Sequence, residues 1–331
     1  MNRREFLTKY SLVSAQAGLT WSALGAGAVP VHAQVRAASS ARTTTTIVDA
    51  HIHLYDTTRP QGVPFPPPSD KLIYRPMLPK DLREAAEPAG VRGAVFVECS
   101  PWVEDNQWVL DAVADEPFIC AVVGNLDPEA TEFPALLKRF TANPLYRGIR
   151  IRTARPMNFA HPRLRPHLES LAEAGCTLDV LLRGNEILRM AELAAALPGL
   201  RVMVDHLAHV QPSGKAPDPD WVARMEHFAP LPNVFCKVSR YTEQAVTQPG
   251  PVELAYYAPT FEVLWRIFGA DRLAYGSNWP PCLQSGDYAT TVTLAWDFFA
   301  TKGPAALAKI MGRNAASFYG GPRFQSLFSV P

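Results

Sequence analysis

Eight short apolar runs, rich in β-branched residues, punctuate this chain of 331 residues and alternate with stretches of helical spacing. The runs are "TTIVDA" at 45–50, "RGAVFVE" at 92–98, "FICAVVG" at 118–124, "GIRIRT" at 148–153, "TLDVLL" at 177–182, "RVMVD" at 201–205, "NVFCKVS" at 233–239 and "RLAYGS" at 272–277. Between them lie "DLREAAEPAG", "PALLKRFTAN", "LRPHLESLAEAG" and "EILRMAELAAALPG", whose apolar spacing suits helices that stop at Gly or Pro. Strands that alternate with helices make βα units and a parallel sheet, and eight such strands are the number that closes a (β/α)8 TIM barrel. The reading is one α/β barrel domain over 46–331, with no internal repeat.

In a parallel barrel both faces of every strand are covered, so a polar residue at a strand's C-terminal end needs a reason. The first strand runs into "HIH", which points His51 and His53 to one side because residues i and i+2 share a face. The second ends in Glu98, the fourth carries Arg150 and Arg152, the sixth ends at His206, the seventh holds Lys237 and the eighth ends at Asn278. Catalytic groups of such barrels collect at this face, so these residues should converge on one mouth. Arg150 and Arg152 either grip a substrate carboxylate as a bidentate fork or neutralise Glu98. Lys237 joins them as a substrate-binding candidate, its long stem able to reach solvent. His161, His167, His209 and His227 fall in loops or helices and read as surface or capping residues. Two Pro-rich loops, 59–80 and 209–220, would wall this mouth.

The formal charge is +1 with basic residues scattered, which leaves no electrostatic footprint for nucleic acid and favours a small-molecule substrate. At the N-terminus, Arg3 and Arg4 precede Phe6, Leu7 and an apolar, Ala- and Gly-rich run to about Val29. Residues 1–33 therefore resemble a twin-arginine export signal cleaved after Ala33, with 34–45 as linker and the periplasm as the expected location. No later stretch is long and apolar enough to span a bilayer, so no membrane association is expected once the signal is removed. The five cysteines are spread singly and do not form a disulfide framework. A homodimer is the default assembly, since it is the commonest one.

The ordered set "IVDAHIHLYD", "GIRIRT", "LLRGNEILRMAELAAALPGLRVMVDHLAH", "NVFCKVS", "FGADRLAYGSNWPPC" and "NAASFY" resembles the amidohydrolase-related family of the amidohydrolase superfamily. Within it, the resemblance is to the branch that holds 2-pyrone-4,6-dicarboxylate lactonase, sulfomuconolactone hydrolase and sugar lactonases. It implies a (β/α)8 hydrolase that attacks an ester-like carbonyl, with the paired first-strand histidines at His51 and His53, the sixth-strand histidine at His206 and the last-strand acid at Asn278. That last position departs from the family's Asp. An amide is neutral and cannot act as a general base near neutral pH.

Three readings of the site follow. His51, His53 and His206 hold one divalent metal, zinc or manganese, whose bound water attacks while Asn278 orients it. Alternatively no metal is involved, and imidazoles with Arg150 and Arg152 polarise a lactone carbonyl while His206 serves as base. In the third, the site binds a ligand without turning it over, as a periplasmic binding protein would. The expected function is opening of a carboxylated or sugar lactone, against a metal-dependent non-oxidative decarboxylase as the second enzymatic reading.

Overall fold

A computed structural model of the chain describes residues 45–152 and 157–329, which places the expected signal and nearly all of the linker outside the described residues. Parallel strands β1 (Ile47–Ile52), β2 (Val91–Val97), β3 (Ile119–Gly124), β4 (Tyr146–Ile151), β5 (Thr177–Val180), β6 (Val202–Val204), β7 (Val234–Val238) and β8 (Leu273–Tyr275) pair in sequence order. The intervening helices are α1 (Pro79–Ala86), α2 (Asp105–Ala112), α3 (Phe133–Thr141), α4 (Leu164–Glu173), α5 (Glu186–Ala196), α6 (Pro219–Glu226) and α7 (Leu254–Phe268), and α8 (Tyr288–Ala300) follows β8. The arrangement is the expected (β/α)8 barrel. The loop expected over 209–220 gives way at its end to α6, started by Pro219 and capped by the Asp218 carboxylate on the Asp220 amide.

The seam between β1 and β8 has no extended ladder among the described residues. It is joined by the Ile52–Trp279 bridge, with the His53 amide donating to the Trp279 carbonyl (2.8 Å) and the Asn278 amide to the His51 carbonyl (2.9 Å). Two apolar layers explain why the strands stay together. Ile149, Leu178, Val180, Val202, Val204, Val234 and Val238 pack outward against the helices. Val48, Val95, Val97, Ala121, Val123, Met203 and Ala274 fill the barrel interior with Phe318 and Tyr319.

After α9 (Pro304–Ala308), the "NAASFY" stretch forms α10 (Asn314–Tyr319) and drives those two rings into the barrel floor, where the Tyr319 hydroxyl donates to Asp179 Oδ2 at 2.7 Å. Asn314 fixes this helix by donating to the carbonyls of Ala270 and Leu273, each at 2.8 Å. In the last helix, α11 (Pro322–Phe328), Arg323 donates to the carbonyls of Val113, Glu116 and Ile119, which ties the C-terminal segment to the start of β3.

All five cysteines are buried and free, as their spacing implied. Among the described residues, no helix is long and apolar enough to cross a membrane.

Candidate active site

Above the apolar interior lies a layer of charge built from inward-facing positions of consecutive strands. Arg150 on β4, Asp179 on β5, Asp205 just past β6 and Lys237 on β7 all sit in this layer, and all are buried. The Lys237 ammonium donates to Asp179 Oδ2 at 2.5 Å, lies 3.0 Å from Asp205 Oδ1 and 3.1 Å from His51 Nδ1. Arg150 Nε lies 2.9 Å from Asp205 Oδ2. Burial pushes carboxylates up, and Asp179 stands at about 6 despite Lys237; at Asp205 the nearby Lys237 and Arg150 overcome burial and hold it below the usual range.

Lys237 is a correction to the sequence reading. It is fully buried and does not reach the mouth, because its stem runs across the barrel interior to satisfy two carboxylates that would otherwise be unpaired. Its ammonium stands 3.1 Å from the Nδ1 of the histidine above it. Two groups face His51 Nδ1, the Lys237 ammonium at 3.1 Å and Asp205 Oδ1 at 3.4 Å; an ammonium can only donate, so the shorter contact assigns Nδ1 as the accepting nitrogen and the ring proton to Nε2. That Nε2 is buried and has no protein partner.

A register shift in β1 between Asp49 and Ile52 makes this placement possible. Asp49 turns outward to accept from the Ser277 amide (2.8 Å) and the Tyr288 hydroxyl (2.7 Å), while His51 turns inward over Lys237. Gly276 clears the way, since a Cβ there would stand 2.8 Å from the His51 Cβ. His53 donates Nδ1–H to the Val97 carbonyl at 2.7 Å, which leaves its Nε2 with a lone pair. The two rings are 5.0 Å apart, and His206 lies 4.3 Å from His51 on the other side.

His206 starts a turn in which four consecutive non-glycine residues, His206, Leu207, Ala208 and His209, have φ between 47° and 61°. Each left-handed residue is strained by about 1–2 kcal/mol, so the turn has to be held in place. The Ser239 hydroxyl against His206 Nδ1 (2.8 Å), the Gln244 amide donating to the His206 carbonyl (3.1 Å) and His209 Nδ1 against the Leu182 carbonyl (3.1 Å) provide those ties. Burial lowers the basicity of all three site histidines: His51 and His206 lie well below the usual imidazole range, and His53 falls to about 3. The shift favours the neutral imidazole at all three.

The remaining expected residues gather here as well. Glu98 pairs with Arg152 (3.0 Å) and lies 3.9 Å from Arg150, while burial raises its carboxyl to about 7. Both arginines border a hollow of about 190 Å³ between the loops after β2, β3 and β4. A wider cleft of about 740 Å³ opens among the loops after β5, β6 and β7, with Arg183, His209, Arg240 and Glu243 on its walls. His209 is therefore a half-buried cleft residue, not a surface one. Asn278, in the left-handed region at φ 60°, donates its side-chain amide to Glu243 Oε1 at 2.7 Å.

Sequence reasoning passed over Asp179, Asp205, Ser239 and Glu243. The first two carried a signal, a carboxylate inside an apolar parallel strand, which demands a buried cation nearby. Glu243 lies in irregular chain and carried none.

The sequence matches the profile of the Amidohydrolase family over residues 48–321. The chain belongs to that family. This amidohydrolase is 31% identical over 286 residues to an L-fucono-1,5-lactonase of Burkholderia ambifaria, a match that covers 82% of this chain and 94% of that one. Two crystal structures of a Burkholderia multivorans amidohydrolase, one with HEPES and one with zinc, superpose with TM-scores of 0.76 and 0.74 at 21% identity, covering 84% of this chain and all of theirs.

The metal set expected from sequence was His51, His53 and His206. Among the described residues, the cluster whose ligand atoms lie within 4.8 Å of one another is His51, Asp205 and His206. Its donors are poorly suited to a divalent ion. Lys237 already fills the space between His51 Nδ1 and Asp205, and a metal on His51 Nε2 would force the ring proton onto Nδ1, against the ammonium. The Arg150 guanidinium adds a second fixed cation, 3.4 Å from His206 Nε2.

Proposed function

We propose that this amidohydrolase opens lactones, and that the preferred ring is the 1,5-lactone of a sugar acid. The observation that carries the reading is the His51 Nε2–H, a buried donor without a partner, fixed in its tautomer by Lys237. Such a preorganised donor stabilises the charge that develops on a carbonyl oxygen under attack, where removal of one comparable donor costs other enzymes about 100–1,000-fold in kcat.

The match to an L-fucono-1,5-lactonase supports the sugar lactone over a carboxylated one. So does the commitment of Arg150, whose nitrogens face Asp205, the Glu98 carbonyl and His206 and leave it no free fork for a substrate carboxylate. A polyhydroxylated ring suits the wide polar cleft beside the loops after β5 to β7. The lactone carbonyl accepts from His51, His206 packs beside it, and water adds to the carbonyl carbon. The twin-arginine pattern at Arg3 and Arg4 supports action outside the cytoplasm, and cell fractionation of a tagged full-length chain tests that.

The test of activity is hydrolysis of a panel of aldono-1,5-lactones, aldono-1,4-lactones and pyrone carboxylates, followed by acid release in weak buffer. Preference for the first class is expected. Wild type that forms no more product than the His51→Ala and His206→Ala variants would refute the reading.

A further inference from the structure

Water must lose a proton as it adds to the carbonyl, and the imidazoles are poor acceptors for it. His51 presents an N–H, and burial makes His53 and His206 weak bases. The carboxylates gathered around them are turned away from the mouth or set against fixed cations. Asp49 accepts from the Ser277 and His51 amides and the Tyr288 hydroxyl, facing away from the mouth. Asp179 is held by Lys237 and Tyr319, Asp205 by Lys237 and Arg150, and Glu98 faces two guanidiniums, Arg152 at 3.0 Å and Arg150 at 3.9 Å, both at its Oε1.

Glu243 differs from each of them. Its oxygens take hydrogen bonds from neutral donors, the Asn278 amide at Oε1 (2.7 Å) and the Thr242 hydroxyl at Oε2 (2.8 Å). No cation among the described residues comes within 4 Å of its oxygens; the Arg240 guanidinium acts on it from farther off, and both line the 740 Å³ cleft. Asn278 is the physical link to the site, because its backbone amide binds the His51 carbonyl at 2.9 Å while its side chain holds Glu243.

The geometry points to Glu243, carried on the loop after β7 and held by Asn278, as the group that accepts the proton of the attacking water. This assignment rests on the lactone-opening reading. The water oxygen forms its bond to the carbonyl carbon as Glu243 takes one proton, and the C=O electron pair moves onto the oxygen that faces His51. When the tetrahedral species collapses, the ring C–O bond breaks and Glu243 returns the proton to the departing ring oxygen. One water is consumed and a hydroxy acid leaves, ionising in solvent. Burial raises the Glu243 carboxyl above the ordinary range, against the opposing hydrogen bonds from Asn278 and Thr242 and the charge of Arg240, which strengthens it as a base.

The experiment is kcat, KM and the pH dependence of kcat/KM for wild type, E243Q and E243D on the best lactone of the panel. The isosteric amide of E243Q retains an oxygen for Asn278, so the fold is expected to persist, checked by circular dichroism. Expected for E243Q is a loss of about 100–10,000-fold in kcat with KM nearly unchanged, and disappearance of the acid limb that wild type and E243D both show. E243Q with near wild-type kcat, or with reduced kcat but an intact acid limb, would overturn the assignment alone. A wild type that opens none of the lactones would overturn the lactonase reading, and Glu243 with it.

Discussion

Replacing Lys237 by Met isolates what the buried charge layer contributes. Methionine keeps the length and volume of the stem but removes the ammonium, leaving Asp179 and Asp205 without the donor that now stands 2.5 and 3.0 Å from them. Asp205 retains Arg150 at 2.9 Å and Asp179 retains the Tyr319 hydroxyl at 2.7 Å, so neither is stripped bare. Breaking one side of a buried ion pair typically costs about 3–5 kcal/mol. For a domain of this size that corresponds to a fall of roughly 6–10 °C in Tm, at about 2 °C per kcal/mol. Adding Asp179→Asn neutralises the stranded carboxylate and still accepts from Tyr319, so the double variant should recover about 2 kcal/mol relative to the sum of the single changes. Urea unfolding at neutral pH of wild type, both single variants and the double variant closes the cycle. A Lys237→Met cost below about 1 kcal/mol, or strict additivity, would refute the view that Lys237 is there to balance these acids.

Replacing both Lys237 and Arg150 by Met removes the two cations set against His51, Asp205 and His206, so the double variant should retain zinc through gel filtration when wild type does not, as elemental analysis would report. His53, held at about 3 against about 6.5 unfolded, contributes stability that is complete above pH ~6.5 and is lost as pH falls toward 3; His53→Asn, which keeps the bond to Val97, should flatten the stability slope between about pH 4 and 5.5 by one proton, or about 1.4 kcal/mol per pH unit. Gly276→Ala should press on His51 and cost about 1–3 kcal/mol in a urea titration while also lowering kcat. Asn278→Asp would set a second carboxylate against Glu243 at hydrogen-bond distance, so the acid limb of kcat/KM should move to higher pH; an unmoved limb would argue against their contact.

The barrel was legible because it rests on patterns with a short period. Every apolar run became a strand, and "DLREAAEPAG", "PALLKRFTAN", "LRPHLESLAEAG" and "EILRMAELAAALPG" became α1, α3, α4 and α5. The strand-end rule also brought His51, His53, Glu98, Arg150, Arg152, His206 and Asn278 to one face. What it could not supply is depth. Lys237 and Arg150 occupy inward positions of their strands, but only the partners across the barrel decide that one side chain is sealed below the mouth and the other borders a hollow. Glu243 lies in a loop whose path is set by tertiary contacts such as Gln244 to the His206 carbonyl, a pairing 38 residues apart that no local pattern encodes.

The seam between β1 and β8 ties the ring's closure to its chemistry. The last fastening of the cylinder is made by the backbone of His51, His53, Asn278 and Trp279, the same short segments that present the histidine pair and Asn278 at the mouth. A ligand that bridges His51 and Asn278 therefore acts as a clasp on the whole cylinder. Occupancy of the mouth should slow deuterium uptake at the amides of His53 and Asn278 together, and tight-binding inhibitors should protect the barrel against unfolding as well as block turnover.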